Sequence, residues 1–226
     1  MVVAIVTARA NSKGLPRKNM LALGGKPLIQ HTFDKAIESN AFDKIVLSTD
    51  FDEVIQLAKG IPKIEIPFKR PEYLSGSAVS QIEVVNHVID HYRTNGIYFS
   101  HIVLLQPTSP FRRIEELIEG VRLLKSGCKS VIGVSKVMHH PADYLVKDGN
   151  DKIKYLMPEY ASKPRQSFPE VYFNNGALYG VEMEFYLRNQ VFYDTDSIML
   201  EMSEESLIDI DTEFEFKLAQ GLLIRK

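Results

Sequence analysis

The sequence predicts an α/β protein built on a doubly wound, mostly parallel sheet. Two observations carry that reading. Short apolar runs alternate with amphipathic stretches of helical period along most of the 226 residues. The first run, residues 2–6, opens directly into a basic, glycine-containing turn at residues 8–19, the end of a strand at which open α/β sheets take ligands. Size and composition agree: 226 residues, 45% apolar and 25% charged, suffice for one large core plus a small appendage.

Taken in order, Val2-Val3-Ala4-Ile5-Val6 reads as a buried strand. Residues 27–39 read as a helix, with Leu28, Thr32, Phe33, Ala36 and Ile37 on one face and Pro27 in its first turn. Ile45-Val46-Leu47 is a strand ending in Ser48-Thr49-Asp50, residues 52–59 a short helix, and residues 64–68 a third strand before the Arg70-Pro71 break. Residues 80–93 are helical, with Ile82, Val85, Val88 and Ile89 inward. Ile102-Val103-Leu104-Leu105 is a strand that runs into Gln106-Pro107-Thr108-Ser109-Pro110. Ile114, Leu117, Ile118, Val121 and Leu124 mark the next helix, and residues 130–134 another strand. This βαβα order calls for a parallel sheet with helices on both faces.

From residue 138 to 173 the rhythm breaks, with four prolines, scattered charges and no clean period. The expectation is one domain over residues 1–226 carrying an inserted arm at 138–173, with a small hairpin on Tyr144-Leu145-Val146 and Lys152-Ile153-Lys154. A tract this long without packing of its own acts as a lid or meets a partner. A strand resumes at residues 176–181. Leu207-Ile208-Asp209-Ile210-Asp211 reads as a short final strand, and Thr212-Glu213-Phe214-Glu215 as a capping box for a last helix with the stripe Phe214, Leu218, Leu222.

Charge excludes several classes. With 27 basic and 29 acidic residues, no global field favours nucleic acid or an anionic membrane, so the basic turn serves a local purpose. The single cysteine, Cys128, excludes an intramolecular disulfide and a cysteine zinc site, and reads as a buried, inert thiol. The first apolar run is too short for a signal peptide and no run reaches transmembrane length, so a cytoplasmic location is expected.

Four constellations carry chemistry. The turn at residues 8–19 lacks both the P-loop ending and the three spaced glycines of a dinucleotide fingerprint. It offers Arg9, Ser12, Lys13 and Lys18 to the phosphates of a polyphosphate, while Arg17, after Pro16, is left to solvent. Asp209 and Asp211, two apart, share one face of an extended chain and can hold a hard cation such as Mg2+; the alternative is acidic residues favouring a helix start. Gln106-Pro107-Thr108-Ser109-Pro110 is a rigid polar loop after a central strand. Asn174-Asn175-Gly176 is a turn before another strand. His87 and His91 have a helical metal spacing but no third ligand, and His139-His140 read as a plain loop pair. Phe168, Tyr172, Phe173 and Tyr179 read as core or interface aromatics.

The turn Ala8-Arg9-Ala10-Asn11-Ser12-Lys13-Gly14-Leu15-Pro16-Arg17-Lys18-Asn19 resembles the signature loop of the acylneuraminate cytidylyltransferases, the CMP-sialic acid synthetases. So do Leu47-Ser48-Thr49-Asp50, Arg70-Pro71, Leu104-Leu105-Gln106-Pro107-Thr108-Ser109-Pro110-Phe111-Arg112, His139-His140-Pro141, Pro164-Arg165-Gln166, Asn175-Gly176-Ala177-Leu178-Tyr179 and Ile208-Asp209-Ile210-Asp211-Thr212. The match is colinear from residue 2 to about 220. It implies a Rossmann-like nucleotidyltransferase fold and transfer of CMP from CTP to a nine-carbon α-keto acid sugar, with release of pyrophosphate. CTP would be bound by Arg9, Ser12, Lys13, Lys18 and Asn19, with Arg70, Ser80 and Gln81 flanking base and ribose. Gln106, Arg165, Asn175 and Tyr179 would serve the sugar, and Asp209 and Asp211 Mg2+. Arg9, Lys18 and Asp211 would be catalytic. The family's homodimers, in which the arm reaches over the partner's site, would account for residues 138–173.

Departures fall on the sugar side. Ser77-Ala78 stands where an Asp-Thr pair is usual, and Asp143 and Phe173 stand where the sialic acid enzymes often carry a basic residue. The acceptor is therefore an N-acylneuraminate or a relative such as legionaminate or pseudaminate. The Kdo cytidylyltransferases, whose loop lacks the Lys18-Asn19 pair, rank lower. A nucleotide-binding module without turnover and a sugar 1-phosphate nucleotidyltransferase are the alternatives of other kinds.

Overall fold

The computed structural model describes residues 1–12 and 14–224. The elements run β1 (Val2–Ala8), β2 (Ala22–Leu23), β3 (Lys26–Pro27), α1 (Leu28–Ser39), β4 (Lys44–Thr49), α2 (Asp52–Lys59) and β5 (Ile64–Glu65). Then come α3 (Gln81–Thr94), β6 (His101–Leu105), α4 (Ile114–Lys125) and β7 (Ser130–Lys136). The chain finishes with β8 (Leu145–Lys147), β9 (Ile153–Tyr155), β10 (Tyr172–Glu182), α5 (Met183–Asn189), β11 (Ile198–Glu201) and α6 (Glu213–Ile224).

Seven strands form one sheet in the order β11-β7-β10-β6-β1-β4-β5. Neighbours are parallel except at β10, which runs antiparallel to both β6 and β7. Period-two alternation divides the apolar residues between the two faces. Val2, Ala4, Val6 and Ala8 join Phe33 of α1, Val54 of α2 and Leu117 of α4. Val3 and Ile5 join Val85 and Val88 of α3 and Tyr186 of α5 on the other face. Expectation and structure coincide for this doubly wound core.

The central strand decides where a ligand can sit. From β1 the chain builds outward through β4 and β5, then returns to place β6 on the other side of β1. The connections after β1 and β6 diverge at their carboxyl ends and leave a crevice between them. β10 enters that end from the opposite direction. Its pairing with β7 slips between Asn174 and Tyr179, and Gly176 adopts φ +70°. The left-handed φ at 176 favours glycine, and a β-carbon there would lie 2.6 Å from Gln106 Oε1 and displace that amide.

Several local expectations are corrected. Pro27 sits at the N-cap of α1 rather than in its first turn, and the third strand covers only Ile64–Glu65. Ser80 caps α3 instead of lying within it, in a capping box with Glu83. Ile118 of α4 is exposed, and Cys128 is half-buried. Residues 207–211 form no strand. Glu204–Leu207 is a 3-10 turn, and the segment after it makes one bond to the neighbouring loop, Ile210 N to Thr108 O at 2.9 Å, in place of a ladder. The sheet edge is β11, which the sequence reading did not foresee. On α6, Phe214 and Leu218 point outward. Phe216, Ala219 and Leu223 face Leu23, Leu28 and Ile210, because the helix packs on the β2–β3 hairpin.

The hairpin of residues 138–173 is present one residue later than expected, with Leu145 paired to Tyr155 and Lys147 to Ile153. Both of its strands are exposed along their whole length.

Candidate active site

A cleft of about 600 Å³ opens at the carboxyl ends of β1 and β6. Its walls come from Thr7, Ala8, Arg9, Ser12, Gly14, Lys18 and Asn19 on one side, Arg70 with residues 74–77 and Gln81 on a second, and Gln106, Thr108, Asp209 and Asp211 on a third. The basic turn and the acidic pair, 190 residues apart in sequence, meet directly: Lys18 Nζ donates to Asp211 Oδ1 at 2.5 Å. Had they lain on opposite sides of the molecule, no single nucleotide could have touched both.

The turn is held from beneath. Asp50, at the end of β4, accepts the Ala10 N–H at 3.0 Å and an Arg70 guanidinium N–H at 3.3 Å on the same oxygen. Arg70 also donates to the Ala8 carbonyl at 2.7 Å. The peptide groups on both sides of Arg9 are thereby fixed, and Asn19 Nδ2 adds a bond to the Arg9 carbonyl at 3.3 Å. Burial lowers the Arg70 pKa, an effect that the Asp50 carboxylate opposes. Asp50 was quoted in the sequence only as part of a motif. Its place at the carboxyl end of a strand beside β1 was the available signal.

The acidic side is held as firmly. Glu215 Oε2 accepts the backbone N–H groups of Asp211 and Thr212 at 2.8 and 2.7 Å, and Thr212 Oγ1 accepts from Glu215 N at 3.3 Å, the reciprocal cap read from the sequence. Asp209 is mostly buried. Burial raises its carboxyl pKa, a hydrogen bond from Thr108 opposes the rise, and Asp211 adds to it. Asp209 Oδ1 is buried with no hydrogen-bond partner. Gly14 packs so closely on the Asp211 carbonyl that a β-carbon there would collide with it.

Arg112 was missed as an individual residue. It is almost wholly buried (1% exposed) behind the Gln106 loop. It donates to the Ala177 carbonyl at 3.0 Å, to Thr32 Oγ1 at 2.7 Å and to the Gln106 carbonyl. Burial pushes its pKa down to about 9, which leaves it cationic at neutral pH.

Of the expected site residues, Arg9, Ser12, Lys18, Asn19, Arg70, Gln81, Gln106, Asp209 and Asp211 line this one cleft. Gln81 Oε1 accepts from the Thr7 hydroxyl at 3.1 Å. Lys13 lies outside the described residues. Ser80 spends its hydroxyl on the helix cap. Asn175 is fully buried, bonded to Ser135 and to the Ala177 N–H, and shapes the bend of β10. Tyr179 stacks on Tyr193 at 5.9 Å, off the cleft wall. Arg165 is exposed on the arm and paired with Asp143 at 3.0 Å. Arg17 pairs with Glu53 at the surface. His87 and His91 both pack edge-on against Phe68, at 4.3 and 5.2 Å.

A switch-point cleft in a mostly parallel sheet, with cations on one lip and paired carboxylates on the other, defines a Rossmann-like α/β protein of the nucleotidyltransferase kind. The comparisons make this specific. A family profile described as "Cytidylyltransferase" matches residues 3–220, and the chain belongs to that family.

Over 219 residues it is 33% identical to the N-acylneuraminate cytidylyltransferase of Streptococcus agalactiae, covering 95% of this chain and 51% of that protein. Over 226 residues it is 32% identical to the CMP-N,N'-diacetyllegionaminic acid synthase of Legionella pneumophila, covering 98% and 96%. The pseudaminic acid cytidylyltransferase of Campylobacter jejuni is 26% identical over 221 residues, covering 97% and 95%. The chain thus spans about half the length of the first of these relatives and nearly all of the other two. Among solved structures, CMP:2-keto-3-deoxy-manno-octonic acid synthetase complexed with CTP superposes with a TM-score of 0.69 at 15% identity, covering 99% of this chain and 98% of that one. No helix among the described residues is long and apolar enough to cross a membrane.

Proposed function

We propose that this chain transfers CMP from CTP to the anomeric hydroxyl of a nonulosonic acid. The sugar hydroxyl oxygen bonds to the α-phosphorus and its proton passes to water, while the bond from that phosphorus to the β-phosphate oxygen breaks and its electron pair leaves with pyrophosphate. The observation that supports this reading is the contact of Lys18 with Asp211, which brings the basic turn and the acidic pair together in one cleft.

Asp209 and Asp211 fit Mg2+. Asp209 Oδ1 is buried with no hydrogen-bond partner, and Mg2+ bound to phosphates is usually held by one or two carboxylates. When bound there, Mg2+ supplies a Lewis acid beside the α-phosphate. Arg9 and Lys18 offset charge on the departing pyrophosphate. Arg70, Asp50 and Asn19 orient Arg9 before substrate arrives, so little reorganisation is needed in the transition state. Gln106, which lines the cleft beside Gly176, would serve the acceptor sugar.

The acceptor is read as a legionaminate-type acid. Support comes from the similarity to the Legionella protein over nearly the full length of both chains and from the ion pair of Arg165 with Asp143, where the sialic acid enzymes often carry a basic residue. The exposed hairpin, with Leu145 and Ile153 in water, supports residues 138–173 as the dimerisation arm of a homodimer. The lone cysteine supports a cytoplasmic location. Mass spectrometry of products from CTP, Mg2+ and a mixture of N-acetylneuraminic, legionaminic and pseudaminic acids tests the function. A CMP–legionaminate product is expected; absence of any CMP–sugar product removes the reading.

Gly14→Ala pushes the turn off the Asp211 carbonyl. It is expected to lower kcat/KM for CTP about 10-fold or more, since an ångström of misplacement is that costly in a positioned site. Steady-state kinetics at varied CTP checks it.

A further inference from the structure

The Lys18–Asp211 pair has an order built into it. The lysine is the enclosed partner, with 11% of its side chain exposed, and the aspartate the open one, at 69%. The ammonium holds one of the two Asp211 oxygens, and its positive charge beside the carboxylate opposes a metal at the other. A hard cation of the Mg2+ type wants about six oxygens. Among the described residues no group of three His, Cys, Asp or Glu is placed to hold a metal. The chain therefore offers two carboxylates, one of them already neutralised. The Arg70 guanidinium is committed to Ala8 and Asp50, and among the described residues Lys18 is the cation paired with Asp211. A triphosphate gives Lys18 a more highly charged partner and supplies the oxygens that two carboxylates cannot.

We infer that Lys18 keeps Asp211 closed to metal until a nucleoside triphosphate draws it away, so that the cleft takes metal together with nucleotide and not before it. The inference rests on the cytidylyltransfer reading and adds to it the loading order. The coupling is reciprocal: whatever nucleotide does for the metal, metal does for the nucleotide.

Mn2+ is the probe, with free ion counted by electron paramagnetic resonance in the absence of nucleotide. Wild-type protein is expected to bind Mn2+ weakly. Lys18→Met is expected to bind it about 10-fold more tightly, within the usual range of such couplings. Lys18→Gln, which keeps a neutral donor, shifts the same way, and the double variant K18M/D211N returns to the wild-type value. Lys18 variants that bind Mn2+ no better than wild type overturn the inference. In unmodified protein, addition of CTP in EDTA is expected to shift the carboxylate 13C resonance of Asp211 as its lysine departs; CTP binding without that shift overturns the inference while the cytidylyltransfer reading stands. Failure of CTP to bind at all overturns both.

Discussion

Asp211→Asn lowers turnover about 100- to 1,000-fold while leaving CTP affinity within a few fold; this is the largest catalytic effect expected for a single exchange in this chain. The substitution keeps shape and removes charge. The backbone of Asp211 is fixed independently of its side chain, through the Glu215 carboxylate on its N–H at 2.8 Å, so the segment stays in place. Asparagine still offers the enclosed Lys18 ammonium an amide oxygen, so the contact is weakened rather than lost and stability falls little. What is lost is one of the two carboxylates proposed to hold Mg2+, whose charge would matter most as charge builds on the α-phosphate. Removal of one preorganised electrostatic group of this kind typically costs ~100- to 1,000-fold. Pyrophosphate release and calorimetric CTP binding measure the two quantities separately. Unchanged turnover would remove the metal role assigned to Asp211.

Arg112→Met acts on the other axis, stability. Its guanidinium satisfies two buried carbonyls and a buried hydroxyl, on β10, the Gln106 loop and α1. Methionine fills the space but takes the guanidinium donor from the buried Ala177 carbonyl and Thr32 hydroxyl, each loss costing ~1–3 kcal/mol, while the Gln106 carbonyl keeps the Ser109 N–H. Relief from burying a charge without a directly bonded carboxylate offsets part of this. The net expectation is a loss of about 3 kcal/mol, which lowers Tm by about 10 °C in a domain of this size. Arg112→Lys, a point donor without the fork, should fall in between. Thermal unfolding by circular dichroism measures both. A methionine variant as stable as wild type would show that other groups hold the Gln106 loop.

The sheet was legible because its signals are local. In β1 the alternation of Val2, Ala4 and Val6 against Val3 and Ile5 names the two faces without knowledge of the partners. The cap on α6 was legible for the same reason, since Thr212 and Glu215 bond to each other. The stripe on α6 was misread because two stripes of helical period are present. Phe214 and Leu218 compete with Phe216, Ala219 and Leu223, and only the position of the β2–β3 hairpin selects the second. Residues 207–211 have the period of a strand, but Leu207 closes a 3-10 turn and the extended backbone begins at Ile208. Strand membership, however, needs a neighbour's free edge, and that edge of β7 is taken by β11.

The cradle was likewise half visible. Arg9, Lys18 and the Asp209–Asp211 pair announced themselves by charge and spacing. The function of Arg70 as a clamp on Ala8, and the existence of Asp50 and Arg112 as its counterparts, depend on residues brought together from distant segments. Arg165, Asn175, Ser80 and Tyr179 carry the same lesson in reverse: a motif names a residue type, while its neighbours decide what the side chain is free to do.

By itself, then, the sequence determined most of the strands and helices, the two apolar faces of the central strand, and which side chains are chemically equipped for a triphosphate and a cation. The tertiary structure alone decided that the two sets share one cleft, that β10 enters against the grain of the sheet to bring Gly176 beside Gln106, and that Lys18 already sits on Asp211. The division has a physical cause. Periodicity and capping are fixed by atoms a few residues apart, whereas the Lys18–Asp211 contact spans 193 residues and exists only because β1 and β6 diverge at a switch point in the folded sheet.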